Sequence, residues 1–292
     1  YLETWQHTPV QSDQLCRCMT EATGINCEPF WDQWIKKPGH PILDYTWTYD
    51  EGAKQIDLTV KQTQDTSKGI PTYKIPGKVG VIYTDGSATA FTELPLTISQ
   101  TEETFKLDWD DSRKIDAVIL DPDHDYLREI PDVHWSAAEL PYILKYAPEC
   151  DDRGQAMRMM LSGKPTDEAV HQAADALAAD TSAFPAFRTV RFLSSLQRAD
   201  LRPLWLGMLN HPNFDRRAQA VAALADLPAE PETTQKLRAL IDDKEPVQVV
   251  VNAIGALANW DLKANTDVIK KALTIPSHRD RIEHAAQDAL GQ

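Results

Sequence analysis

Positive charge is scarce in this 292-residue chain, and long apolar runs are missing altogether. Thirty Lys and Arg stand against 44 Asp and Glu, a formal net charge of −14. The basic residues never gather into a stripe that could displace counterions from phosphates, which argues against nucleic acid as a partner. The imbalance is uneven: 21 acidic against 12 basic residues over 1–128, and 23 against 18 over 129–292. No apolar stretch reaches the roughly 18 residues that a membrane-spanning helix needs. The expectation is a soluble protein of unknown compartment. Tyr1-Leu2-Glu3-Thr4-Trp5 opens without Met and already reads as helix interior, so the chain is expected to be a piece of a longer polypeptide.

Cysteine is sparse too, with only Cys16, Cys18, Cys27 and Cys150. Cys16 and Cys18 lie two apart on a predicted helix, where the 3.6-residue period turns them to nearly opposite faces. They cannot grip one metal together, and the spacing is not that of a zinc knuckle. Buried free thiols are the expected state, with a Cys18–Cys27 bridge as the alternative.

The common catalytic signatures are absent as well. No His is followed by Glu, so the HExxH helix of zinc proteases is missing. There is no GxSxG elbow and no GxGxxG, and Gly77-Lys78-Val79 and Gly163-Lys164-Pro165 both fail as P-loops. The eight histidines (His7, His40, His124, His134, His171, His211, His278 and His284) are scattered without ligand spacing. Asp121, Asp123 and Asp125 imitate a calcium loop, with Asp132 at its twelfth place. Tyr126 stands where such a loop needs Gly, however, and Asp132 where it needs the longer Glu. The expected arrangement is a turn after the last strand with solvated carboxylates. The paired acids Asp110-Asp111, Asp151-Asp152 and Asp242-Asp243 fall at helix starts or turns and suit capping. No catalytic, cofactor-binding or metal-ligating residue is therefore assigned.

What is present divides into three segments. Residues 1–40 are helical: Leu15, Met19 and Ala22 repeat at helical spacing after the cap candidate Ser12, and Gly24 ends that helix. Phe30, Trp31, Trp34 and Ile35 make the apolar stripe of the next. Forty residues cannot bury five large aromatics among themselves, so these helices must lean on something else.

Residues 41–128 alternate. Tyr45, Trp47 and Tyr49 interleave with polar residues, as do Ile56, Leu58 and Val60, then Val79, Val81 and Tyr83, then Phe105, Leu107 and Trp109; Val118-Ile119-Leu120 closes the set. Turns are predicted at Asp50-Glu51-Gly52, Gly69-Ile70-Pro71, Asp85-Gly86 and Asp110-Asp111-Ser112. This pattern predicts an antiparallel β-sandwich.

Residues 129–292 are rich in Ala and Leu at helical spacing and repeat internally. Ala222 to Leu227 aligns with Gly255 to Trp260, and Asp288-Ala289-Leu290 keeps the same 33-residue frame. Leu161 and Leu196 are looser earlier members. Two helices per unit of this length resemble HEAT or armadillo repeats, in which stacking covers the apolar stripe each helical hairpin leaves open. About four or five units fit. Asp215-Arg216-Arg217 and Arg279-Asp280-Arg281 open second helices, and are expected to tie neighbouring loops. The predicted fold class is thus multidomain α and β: a short helical segment, a sandwich, and an α-α superhelix.

The order of these segments resembles the C-terminal region of the membrane alanyl aminopeptidase family of zinc metallopeptidases, the gluzincins. Phe30/Trp31, Trp34, Gly39 and Pro41 resemble the close of that family's catalytic domain, and Gln62, Gln64, Pro71 and Ile75-Pro76 its sandwich domain. Leu120-Asp121-Pro122 and Leu127-Arg128-Glu129-Ile130 resemble the last strand and exit of the sandwich. The resemblance implies a non-catalytic portion of such an enzyme, propping a catalytic domain that holds the zinc and walling the cavity that admits peptide substrates. It supplies no catalytic residue here, because HExxH and the family's distant Glu have no counterpart in these residues. A protein-interaction scaffold that shares the architecture is the alternative.

Overall fold

The computed structural model describes residues 1–110, 112–179 and 184–291; Asp111, in one predicted turn, lies outside the described residues. The fold is mixed α and β: twelve α-helices among the described residues, and two small antiparallel sheets. The chain falls into two compact units, Tyr1–Glu139 and Leu140–Gln292.

The first unit opens with α1 (Leu2–Trp5), α2 (Ser12–Thr23) and α3 (Glu28–Trp34). The cap of α2 is Gln11 rather than Ser12: Gln11 and Gln14 form a reciprocal capping box, and Gly24 ends the helix in the left-handed region. The buried residue of α2 is Cys16, while Met19 of the expected stripe stays exposed. On α3, Trp31 is buried and Trp34 stacks on Tyr73 at 4.8 Å between ring centroids, whereas Phe30 and Ile35 face solvent at 54% and 50% exposure. All four cysteines are free, and Cys16 alone among them is buried.

Six strands follow: β1 (Leu43–Asp50), β2 (Gln55–Gln62), β3 (Ile75–Asp85), β4 (Ala88–Ile98), β5 (Glu102–Asp108) and β6 (Lys114–Leu120). They pair in the orders β1-β2-β5 and β4-β3-β6. Leu43, Tyr45, Ile56, Leu58 and Val60 of the first sheet share one core with Val79, Val81, Leu96, Ile98, Val118 and Leu120 of the second. Each fully buried aliphatic chain there contributes about 1.5–3 kcal/mol relative to exposure. The other face of the first sheet is polar, with rows such as Thr46, Thr59 and Thr104 in register across three strands and the cross-strand ion pair Lys61–Glu102. Asp85 and Ala88 close a two-residue hairpin in which Gly86 takes a positive φ. Strand β4, absent from the predicted set, carries Pro95 and survives as an edge strand, where a missing N–H breaks no sheet.

The second unit holds α4 (Leu140–Tyr146), α5 (Cys150–Met160), α6 (Asp167–Ala179), α7 (Phe184–Ser195), α8 (Arg202–Met208), α9 (Phe214–Ala225), α10 (Pro231–Ala239), α11 (Val247–Ala272) and α12 (Arg281–Leu290). Alternate helices pack side by side, α5 on α7, α7 on α9 and α9 on α11 in one row that the consecutive pair α11 and α12 ends, and α4 on α6 and α6 on α8 in another. Small residues at the crossings, among them Ala220, Ala223, Ala253 and Ala256, are almost wholly buried and let backbones approach. Helix α11 is broken at Asp261, whose φ of −162° and ψ of 93° are extended; its carboxylate accepts from Ala264 N and caps the second half.

The 33-residue frame has a physical counterpart. Trp260 Nε1 donates to the carbonyl of Leu227, the residue at the equivalent place one unit earlier, and Arg281 donates to Gln248 Oε1, also 33 away. Arg217 reaches forward to Glu245 at 3.3 Å. It also donates back to the carbonyls of His211 and Pro212, just as Arg153 donates to those of Ala147 and Pro148. Of the arginines expected to tie neighbouring loops, Arg217 does so, while Arg281 bonds to Gln248 within α11.

Candidate functional site

The first unit buries polar groups at several places, two of them at the junctions of its segments. The first is the seam where the sheets meet the helical entry. Gln62 and Gln64 are both buried and locked together, Gln64 Nε2 donating to Gln62 Oε1 at 3.0 Å. Gln62 Nε2 donates to the carbonyls of Tyr73 and Gln100, and its oxygen accepts from Tyr73 N; Gln64 holds Pro71 O and Ile42 N. Two amides thus satisfy a loop that forms no ladder of its own. Gly39, in the seam motif, has φ +81°, and a Cβ there would meet the side chain of Ile70 at 2.9 Å, so no other residue fits without displacement.

The second place is the exit turn. Asp121 is buried, not solvated as expected. Its carboxylate takes Arg128 Nε at 2.8 Å and Asp125 N at 3.0 Å, and Arg128 Nη2 also holds the Asp121 carbonyl. Asp123 and Glu93 both pair with Lys78, whose ammonium is held well above its usual range by the hydrogen bonds to Asp123 and then Glu93. Asp121 and Asp123 are accordingly engaged by protein donors, while the half-exposed Asp125 carboxylate lies 3.8 Å from Lys78. The same turn lays residue 129 beside β1: Leu43 N donates to Glu129 O, Glu129 N to Pro41 O, and His40 Nε2 lies 2.8 Å from the Glu129 carboxylate.

Beyond that turn the chain closes a cavity of about 350 Å³ against β1, lined by Tyr45, Trp47, His134, Trp135 and Glu139. Trp47 Nε1 donates to Glu139 Oε1 at 2.9 Å, Ser136 N to Glu139 Oε2 at 2.8 Å, and Trp135 Nε1 to Tyr45 Oη at 2.8 Å. His134 Nε2 sits 2.8 Å from Asp44 Oδ1. Sequence reasoning missed this site; the alternation singled out Tyr45 and Trp47 as strand residues, but nothing local points to their partners 90 and 92 residues on.

The remaining histidines are dispersed. His171 pairs with Asp200, and His211 Nδ1 accepts from Asn213 N, its imidazole pushed below the usual range by burial and then by Arg216. Asp110 and Asp242 accept backbone N–H groups within their turns, and Asp151 and Asp152 sit in the first turn of α5, whose N-cap is Glu149. Among the described residues no three His, Cys, Asp or Glu side chains converge as a metal site. Nor, among them, is any helix long and apolar enough to cross a membrane.

No family model matches the chain, and no curated protein matches it in sequence. Among solved structures it is similar to Legionella pneumophila aminopeptidase A, solved in complex with aspartic acid, at a TM-score of 0.51 and 16% identity. The likeness is one of fold. The likeness covers 97% of this chain but 35% of that one, so the chain spans about a third of the length of the protein it resembles.

Proposed function

We propose that this chain is the non-catalytic C-terminal portion of a gluzincin-type zinc aminopeptidase, supporting the catalytic domain and walling its substrate cavity. The observation that carries the reading is the asymmetry of the likeness: nearly all of this chain matches about a third of an aminopeptidase. On this reading residues 1–40 are the closing helices of the catalytic domain, 41–128 its β-sandwich and 129–292 a HEAT-like superhelix, with α4/α5, α6/α7 and α8/α9 as successive hairpins.

The exposed face of the entry helices supports it. Ile25, Phe30 and Ile35 are at least half exposed around the anchored Trp31 and Trp34, an apolar patch of the kind that docks a neighbouring domain. Zinc and the peptide-cleaving residues then belong to the rest of the polypeptide, because this chain has no HExxH.

The test is to assay aminoacyl-anilide hydrolysis by the full polypeptide encoded by the parent reading frame, and by these 292 residues alone. Zinc-dependent turnover by the former and none by the latter is the expected result. Metal-dependent turnover by the 292 residues alone overturns the reading, and a parent that lacks HExxH and all turnover replaces it with an interaction scaffold.

A further inference from the structure

Glu139 is a buried carboxylate with no cation beside it. The residue is 6% exposed, its oxygens accept from one indole and one backbone N–H, and no Lys, Arg or His of the described residues pairs with it. Burying a negative charge without a counter-charge is costly, and two neutral donors offset the cost only in part. The carboxylate nonetheless lines an accessible cavity.

The other walls are largely aromatic, with Thr46 and Ser136 beside them. The indole of Trp47 is spent on Glu139, that of Trp135 on Tyr45 Oη, and Tyr45 Oη itself donates to Val118 O. His134 Nε2 is held by Asp44. Each carboxylate oxygen accepts two hydrogen bonds, so Glu139 keeps acceptor capacity after Trp47 and Ser136 are served.

Aromatic walls ending on a carboxylate are the complement of an organic cation, which gains both the ring quadrupole and the charge. An anion would meet the Glu139 carboxylate, and a neutral apolar guest would leave Glu139 uncompensated. A bare metal ion needs several oxygen ligands and finds one carboxylate. At about 350 Å³ the cavity lies at the small end of ligand sites, the size of an alkylamine rather than a peptide. We propose that this cavity binds a small organic ammonium ion, a protonated or methylated alkylamine, with its charge on Glu139 and its alkyl groups against Trp47 and Trp135. The site stands apart from the aminopeptidase reading and needs no residue outside this chain.

The experiment is a titration of the ¹⁵N-labelled 292-residue chain with butylammonium, with tetramethylammonium, and with butan-1-ol as the neutral match, at constant ionic strength. The indole N–H signals of Trp47 and Trp135 are assigned by Trp→Phe substitution. Saturable millimolar shifts of those two signals are expected with both cations and not with the alcohol, and Glu139→Gln should weaken binding by about tenfold or more. The signals of Trp31 and Trp109, buried in the same unit, report whether the variant is folded. If it is not, the cation-against-alcohol comparison on the unaltered chain decides alone. Equal response to the alcohol, unchanged affinity in a folded Glu139→Gln chain, or no saturable shift up to hundreds of millimolar overturns the proposal.

Discussion

In the N-terminal unit, partners come from far along the chain: Val79 pairs with Leu120, Trp47 with Glu139, and His40 with Glu129. In the C-terminal unit almost every helix packs only on those one or two places away. The sheets share one core sealed by unrepeated devices, namely the Gln62–Gln64 pair, Gly80 and the Asp121–Arg128 ion pair. The helices share many small cores sealed by recurring ones, buried alanines and arginines bonded to the preceding loop. Loss of one part should therefore spread through the first unit and stay near its origin in the second.

The largest effect is expected from Arg128→Ala. It leaves the Asp121 carboxylate buried without its cation and should cost about 3 kcal/mol or more in denaturant unfolding, with hydrogen-exchange protection lost across both sheets. A loss restricted to residues near the turn would break the contrast. Next comes Gln62→Ala, which strips partners from Tyr73 N, Tyr73 O and Gln100 O at once. About 2 kcal/mol is the expected cost, again unit-wide. Gly80→Ala belongs with these, because a Cβ there would lie 2.6 Å from the Phe91 ring and must displace it, at about 1–3 kcal/mol.

In the helical unit, Ala253→Leu overpacks a fully buried crossing and should cost about 1–3 kcal/mol. Here exchange should rise in α9, α11 and their immediate neighbours while α4 to α6 keep their protection; faster exchange at α4 would erase the distinction. The smallest effect concerns Asp200, which Arg198 holds down to about 2. Its lowered value favours the folded state above the ordinary carboxylate range near pH 4 and is lost as pH falls toward 2. Arg198→Ala should raise the Asp200 midpoint in a carboxyl ¹³C titration with little change in stability at neutral pH, since both side chains are partly exposed.

Legibility differs between the units for the same reason. Strands β1, β2 and β5 show in the sequence because one face meets the core more than the other, so polarity alternates, whereas β6 and the middle of β3 are buried on both faces and show as apolar runs. Strand β4 does not show, since Pro95 interrupts it and its hairpin register is what makes it a strand. On α2 the helical period of Leu15, Met19 and Ala22 is present, yet Cys16 is the buried residue: periodicity tells which side chains share a face, not which face finds a partner. The repeat frame at 33 residues was visible in Ala and Leu. A second frame went unread, a Pro followed five residues later by a loop-binding Arg, as in Pro148 with Arg153 and Pro212 with Arg217. The break at Asp261 was hidden by helix-forming residues on both sides.

The sequence by itself determined where strands give way to helices, how often the helices recur, and that no familiar catalytic motif lies in these residues, because each of these is set by neighbours within one turn, one strand or one repeat. Only the tertiary structure decided that Asp121 is buried against Arg128, that Gln62 and Gln64 seal a loop, and that Glu139 ends beneath two indoles. Those outcomes depend on contacts between residues up to 92 positions apart, and the burial that gives such a contact its energy exists only once the chain has folded.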